Sequence, residues 1–582
     1  MTFAPLSFSG RNWLWPTLHV AHPCGEEAGE PPFLHDLLLR RGIAPGPARQ
    51  AFLAPSLALM LDPGTMAHMD RAIDRLLYAL DHQEPVMIWG DYDVDGVCAT
   101  SVLMAFFQQV GLKADFYIPD RRSEGYGLNQ AAMVDIAQSH KLLVTVDCGS
   151  TALGEIAHAK ALGLDTVVVD HHQVLPELPE AVACINPQRS DCAYADKGLC
   201  AAGLAFMLAV ALRRALRERG HFQGGRAEPD LRPLLDMVAV ATVADMVPLT
   251  GINRMLVHVG LERLRRAPRP GLKALCDVAQ VAAAEVTAQD LGFRIGPRIN
   301  ARGRMEHAGL AVDLMLTEDP AAAKVMAEQL NAANNARRTL EKHTVEQAIA
   351  QVDSQGLGQN PVLVVADPSW HAGVLGLVAS RLVARYHRPA VVIGEDGKGS
   401  ARSIAKINLH RCLQAAADTM VRFGGHPAAA GLTILPGNIA ALSDKLQQEV
   451  SALLGPPPYV PDVTADLSVD GHFLTPALHS HLHKLAPFGQ SNPEPLLAAR
   501  GQAVVERRLV GEDHLKLRLG ERGYEAIAFG MGHLLPKLKS HVDVLFYLDR
   551  SVFRGTARLQ MRVYDLRCAH KPACADGSAS LL

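Results

Sequence analysis

The hydrophobic pattern of the chain is built from short β-branched runs that stop on acid. Pro85-Val-Met-Ile-Trp-Gly90 opens onto Asp91-Tyr-Asp-Val-Asp-Gly96, Lys141-Leu-Leu-Val-Thr-Val146 onto Asp147-Cys-Gly-Ser150, and Val167-Val-Val169 onto Asp170-His-His172. Continuous apolar runs of this length predict strands buried on both faces. Helical stretches such as Val97 to Val110 lie between them, so residues 65 to 250 read as βα units of a parallel sheet. Ligands of such sheets bind beyond the carboxyl ends of the strands, where all three acidic clusters would share one site. Asp91, Asp93 and Asp95 recur at a spacing of two, which in an extended chain turns their side chains the same way. Gly96 then lets the chain bend into the next helix.

Further along, residues 233–248 form an apolar helical stretch. Asp236 and Asp245 fall out of phase on it, so only one of them faces the site. An ionised Asp245 in these surroundings is costly unless a cation pairs with it, whereas Asp236 reads as structural. Residues 317–356 predict one long helix, with Asp319 as N-cap, Pro320 in the first turn and Gly356 at the exit. Its length of about 54 Å suits a connection between two lobes.

The second lobe, 357–458, carries strands at 361–366 and 389–393, then Gly397-Lys-Gly-Ser-Ala-Arg-Ser403 and the glycine-rich stretch Gly424 to Gly431. Small residues there let backbone N–H groups approach a phosphate, with Ser400 and Arg402 supplying donors and charge. After the linker Gly455-Pro-Pro-Pro458, strands near 515–519, 524–529, 542–547 and 558–563 predict a small β-barrel within 459–570, and 571–582 reads as a disordered tail. Residues 1–64 form a lead-in, 65–316 the acidic domain.

Composition narrows the picture. The 582 residues are 48% hydrophobic with a net charge of -3, so several cores are affordable and any nucleic-acid contact is local rather than a blanket of positive charge. Arg121-Arg122, at the acidic edge of the sheet, is a candidate phosphate contact. The ten cysteines show no CxxC spacing, which supports neither a zinc ribbon nor a disulfide framework and fits a reducing cytoplasm. The first residues lack the pattern of a secretion signal, and no apolar run has the length of a membrane helix.

Carboxylates crowded at one sheet edge raise each other's pKa unless a cation neutralises them. Imidazole and carboxylate oxygen together suit Mn²⁺, Mg²⁺, Fe²⁺ or Zn²⁺. Four or more carboxylates with one or two histidines fit two ions about 3.5–4 Å apart, bridged by one carboxylate, as used for in-line phosphoryl displacement.

Asp93-Val-Asp-Gly96, Val146-Asp-Cys-Gly149 and Asp170-His-His172 resemble the first three motifs of the DHH phosphoesterase superfamily. Ala244-Asp-Met-Val-Pro-Leu249, Gly296-Pro-Arg-Ile-Asn-Ala-Arg-Gly-Arg304, Gly424 to Gly431 and Pro487-Phe-Gly-Gln-Ser-Asn-Pro-Glu-Pro495 extend the resemblance toward its branch of single-strand-specific exonucleases. The resemblance implies an α/β architecture: a parallel-sheet DHH domain, a long connecting helix, a smaller α/β DHHA1 domain and a C-terminal OB-like barrel. It implies two divalent ions, Mn²⁺ or Mg²⁺, on Asp93, Asp95, Asp147, His171 and Asp245, with Asp147 bridging, Asp91 as a further ligand and His172 on the scissile phosphate or leaving group.

It further implies a 5′-to-3′ exonuclease that releases 5′-mononucleotides from single-stranded DNA in recombination and repair. Ser400, Arg402 and Arg304 would hold the 5′ end; Arg122, Tyr126 and His426 would contact the backbone or stack. A monomer working with a RecQ-type helicase and a single-stranded-DNA-binding protein is expected. A phosphodiesterase for oligonucleotides or cyclic dinucleotides, and a non-catalytic repair scaffold, are the rival readings. Ser491 departs from the pattern, standing where glycine is common.

Overall fold

The computed structural model describes residues 6–20, 30–120, 124–125, 127–305, 309–470, 474–553 and 556–569. Two compact units divide the chain: residues 50–343 with 487–493, and residues 1–49 with 344–486 and 494–582.

In the first unit the acid-terminated runs are strands of a five-stranded, wholly parallel sheet. These are β1 (Val86–Gly90), β2 (Ala114–Tyr117), β3 (Leu142–Val146), β4 (Asp165–Val169) and β5 (Ala183–Ile185), in the order β2-β1-β3-β4-β5. The runs are continuous in sequence because both faces are covered. Ile88, Val144 and Val167 join one core and Trp89, Leu143 and Val168 the other. Each such fully buried aliphatic contributes about 1.5–3 kcal/mol.

Helices α1 (Val94–Val110), α2 (Ala201–Glu218) and α3 (Leu235–Ala244) fill the larger core, and α4 (Gly296–Met305) follows a short π-helical stretch at Leu291–Ile295. The out-of-phase reading of the α3 acids holds: Asp236, 1% exposed, takes a bidentate bond from Arg269 Nε and Nη2 inside the core, while Asp245 lies just past the last helical turn.

Residues 487–493 belong to this unit although they come from far along the chain. Leu249 N donates to Gln490 O, and the buried Arg254 donates to the carbonyls of Phe52 and Pro487 while stacking 3.7 Å from the Phe52 ring. Within this turn Ser491 is left-handed at φ 60°, the conformation glycine adopts without strain.

Helix α5 (Pro320–Ser354) is the long helix, with Asp319 Oδ1 accepting from Ala321 N at its start. The chain passes from one unit to the other within it.

The second unit holds a five-stranded mixed sheet of β6 (Leu363–Ala366), β7 (Ala390–Ile393), β8 (Lys398–Arg402), β9 (Arg422–His426) and β10 (Ala429–Thr433), in the order β9-β10-β8-β7-β6. The glycine-rich stretch, expected as a phosphate-approaching segment, is a hairpin: Gly424 pairs with Gly431 across β9 and β10. The expected barrel is present and closed. It consists of β11 (Leu497–Val510), β12 (His514–Leu519), β13 (Tyr524–Ala528), β14 (His541–Phe553) and β15 (Thr556–Cys568), with β12 pairing back onto β11. The long β11 was not among the strands expected from the sequence pattern.

Part of the lead-in also belongs here, since Asn12–Leu14 pairs with Asp462–Thr464 and His19–Val20 with Leu467–Val469. Arg122, Tyr126 and the tail from Lys571 lie outside the described residues, as does the side chain of Arg304.

Candidate metal centre

The carboxyl ends of β1, β3 and β4 and the C-terminal end of α3 carry the acidic and imidazole groups to one place. Ligating atoms of Asp91, Asp93 and Asp147 lie within 4.8 Å of one another, as do those of Asp147, His171 and His172, and those of Asp95, His171 and Asp245. Asp147 and His171 each belong to two of these triads. His171 Nε2 is 3.2 Å from Asp147 Oδ1, 3.6 Å from Asp245 Oδ2 and 3.7 Å from Asp95 Oδ2.

The three aspartates after β1 do not form the extended comb that their spacing suggested. Asp93 is the N-cap of α1, its Oδ1 accepting from Asp95 N and Gly96 N at 2.9 and 3.1 Å, so Asp95 already lies in the first helical turn. Capping satisfies the orphan amides of the turn and rotates alternate side chains apart, which a spacing of two cannot reveal. Gly96 is required by contact: a Cβ there would meet Asp91 O at 2.4 Å. Asp95, 1% exposed, receives the amides of Ala201 and Ala202 at 2.6 and 2.8 Å, so its carboxylate is fixed by the positive end of α2. Asp147 is held at φ 64°. A left-handed non-glycine residue costs about 1–2 kcal/mol, and such strain gathers at functional sites.

Asp170 is not a member of any triad. Its Oδ1 accepts from His171 N at 2.8 Å, His172 N at 3.2 Å and His172 Nδ1 at 2.8 Å, and its Oδ2 from Ser150 N at 3.0 Å. Behind it the buried Asn186 donates to Ser150 Oγ and to His172 O. In the sequence Asp170 is marked only as the acid of the Asp170-His-His172 run, outside the expected ligand set. The only signal for Asn186 was a polar residue ending the apolar run Ala183-Cys-Ile185.

Electrostatics separates these roles. Burial, then repulsion from Asp93, Asp95, Asp91 and Asp245, drives the Asp147 carboxyl well above its ordinary value. Asp95 is raised first by burial, and Asp245 is pushed up to about 9 by burial and by Asp95 and Asp93. Burial also lowers His171, which leaves its imidazole neutral and able to ligate. Asp170 goes the other way: burial alone would raise it, but the His172 bond and the Ser150 amide hold it far below the carboxylate range. Against its own burial, His172 is raised to about 9 by that same bond.

The residues fit divalent cations. Asp245 Oδ2 is buried and receives no hydrogen bond from any described residue, and several crowded carboxylates carry a repulsion that bound cations would relieve.

Ser400 and Arg402 are together on β8, where Arg402 Nη1 donates to Ser400 Oγ at 3.4 Å and to Ala401 O at 2.9 Å. The Arg402 pKa is lowered by burial alone. His426 is exposed at the end of β9.

Family models for the DHH family N-terminal domain, the DHHA1 domain and the RecJ OB domain match residues 85–242, 359–452 and 465–565. The chain is 37% identical to the single-stranded-DNA-specific exonuclease RecJ of Dickeya dadantii over 91% of this chain and 96% of that protein. It belongs to the RecJ family. The RecJ of Bacillus subtilis is also 37% identical, over 86% of this chain but 63% of its own greater length. A crystal structure of Thermus thermophilus RecJ in complex with Mn²⁺ superposes at a TM-score of 0.78 with 30% identity, covering 93% of this chain and 76% of that one. A Mg²⁺ complex of the same RecJ matches at 0.73. No helix among the described residues is long and apolar enough to cross a membrane.

Proposed function

We infer that this RecJ-family chain is a metal-dependent exonuclease that hydrolyses single-stranded DNA. The observation that carries the reading is the set of interlocked acid and imidazole triads on a chain that covers nearly all of a RecJ exonuclease. Asp91, Asp93, Asp95, Asp147, His171 and Asp245 would hold Mn²⁺ or Mg²⁺. When bound, the ions supply a polarised water and neutralise the phosphodiester's charge.

The remaining chemistry belongs to the protein. His172, kept protonated at neutral pH by Asp170, can donate to the scissile phosphate or give its proton to the departing 3′ oxygen. Asp170 fixes the ring that does so, and Ser150 with Asn186 fixes Asp170 and the His172 backbone. Ser400 and Arg402 would bind the 5′-terminal phosphate, with Arg304, Arg122, Tyr126 and His426 along the strand. Degradation then proceeds 5′ to 3′ and releases 5′-mononucleotides.

The barrel adds a surface of the type used to track single strands. The enzyme would act as a cytoplasmic monomer in recombination and repair. A RecQ-type helicase and a single-stranded-DNA-binding protein are its expected partners, because duplex must be opened before it can be consumed. The scaffold reading gains no support, since every ligand position is filled.

Digestion of 5′-labelled and 3′-labelled single strands, with a duplex control, under Mn²⁺ and Mg²⁺ tests this. Mononucleotides should appear at once from the 5′-labelled strand and the duplex should survive. Asp147→Ala should abolish turnover while the circular dichroism spectrum is unchanged. Release from the 3′ end, or turnover by that variant, would overturn the assignment.

A further inference from the structure

The segment Gly296-Pro-Arg-Ile-Asn-Ala-Arg-Gly-Arg304 has a role that the proposed ligand set leaves unused. It forms most of α4, on which positions 296, 300 and 303 share one face at i, i+4 and i+7. The two glycines on that face press against the loops of the metal centre. A Cβ at Gly296 would lie 3.4 Å from Ala244 Cβ and 3.8 Å from Val94 Cγ2, and one at Gly303 would meet the Tyr92 carbonyl oxygen at 2.6 Å. Tyr92 and Val94 flank Asp93, and Ala244 precedes Asp245. Helix α4 is therefore laid across both ligand loops, in ordinary contact at Gly296 and as close as glycine permits at Gly303.

Asn300 is the side chain between these glycines. Its Oδ1 is buried and receives no hydrogen bond from any described residue. A buried carboxamide oxygen without a donor is unfavourable, and such groups in folded proteins mark a bound water, an ion or a functional contact. The face of α4 that carries it is the one turned toward Tyr92, Val94 and Ala244, the residues beside Asp93 and Asp245. A water held beside those ligands would supply the missing donor.

We propose that Asn300 is a positioning residue whose Oδ1 accepts a hydrogen bond from the water that the divalent cations activate for attack on the phosphodiester. The inference rests on the metal-dependent reading above. An acceptor at that place fixes the orientation of the nucleophile without altering the charge of the ligand set, and partners of this kind govern metal affinity as well as rate.

The test uses the full chain carrying Asn300→Ala or Asn300→Asp, with Mn²⁺ binding followed by titration calorimetry and kcat and KM measured on single-stranded DNA. Asn300→Ala should weaken Mn²⁺ binding or lower kcat by about 10–100-fold while KM for the strand stays within about twofold. Asn300→Asp, which keeps an acceptor oxygen, should bind Mn²⁺ at least as tightly as the native chain. A merely structural role would lower the melting temperature and leave Mn²⁺ affinity and kcat unmoved, and that result would overturn the proposal. A raised KM with unchanged kcat in Asn300→Ala would overturn it too, making the residue a strand contact. If the native chain itself bound no Mn²⁺, both this inference and the functional reading would fall. If the native chain bound Mn²⁺ and degraded DNA while Asn300→Ala matched it, only the assignment of Asn300 would fall.

Discussion

Replacing Asp170 by Asn removes one charge and converts one acceptor into a donor without changing the size of the side chain. In the native protein its two oxygens accept four hydrogen bonds, from the amides of His171, His172 and Ser150 and from His172 Nδ1. Asparagine can keep its oxygen toward the histidines, but its NH₂ then faces the buried Ser150 amide, donor against donor. That mismatch costs about 1–3 kcal/mol.

Loss of the charge also releases His172 from about 9 toward its ordinary value of 6.5. The difference corresponds at most to about 3.4 kcal/mol. Because 42% of the His172 side chain meets solvent, screening reduces this to about 1–2 kcal/mol. The metal-stripped variant should therefore be about 2–5 kcal/mol less stable than the native chain in urea unfolding at pH 6.

The pH window follows from the same shifts. His172 is raised, so its contribution is complete below pH 6.5 and fades as pH rises through about 9. Asp170 is lowered, so its contribution is present above its ordinary value of 3.8 and is lost in stronger acid. The gap between native and variant should be widest between about pH 4 and 6.5 and should narrow toward pH 9. A gap below about 0.5 kcal/mol at pH 6, or a His172 resonance titrating identically in both proteins, would refute the assignment of Asp170 as the anchor of that ring.

Metal removal should leave a protein that weakens with alkalinity: the Asp245 carboxyl is raised from 3.8 to about 9, so the stability of its neutral form is lost as pH climbs through that range. Melting curves in EDTA should fall steadily between pH 5 and 9, and Mn²⁺ at about 100 times its Kd should add about 2.7 kcal/mol; a metal-free protein more stable at pH 9 than at pH 5 would contradict this. Asp236→Ala should cost about 3–5 kcal/mol because it strands the Arg269 guanidinium in the core, with Mn²⁺ affinity unchanged; calorimetric loss of Mn²⁺ binding at native stability would make Asp236 a site residue instead. Ser491→Gly should gain about 0.5–1 kcal/mol by relieving a φ of 60°, and a measurable destabilisation in urea would exclude strain there.

Much of the catalytic unit was legible because its determinants are local. A strand covered on both faces must be apolar at every position, so Val86 to Gly90, Leu142 to Val146 and Asp165 to Val169 announce themselves, and the acids that follow must stand at the carboxyl edge of the sheet. Asp236 and Asp245 were separated by helical phase alone. The long helix declared itself through Asp319 and Pro320, and four of the five barrel strands through their alternating or short apolar runs.

The sequence determined which residues end strands and helices, because propensity, capping and periodicity act over a few residues. Only the tertiary structure decided what those ends touch. Asp95 is fixed by the amides of Ala201 and Ala202, and Arg254 gathers residues 52 and 487 around itself. Asn12–Leu14 finds its partner strand at Asp462–Thr464. Whether Asp170 faced a cation or a histidine was equally open, since one carboxylate serves as ligand or as hydrogen-bond acceptor according to its neighbours. Such pairings are chosen by shape and by the need to satisfy every buried polar group, and they leave no periodic trace in the chain.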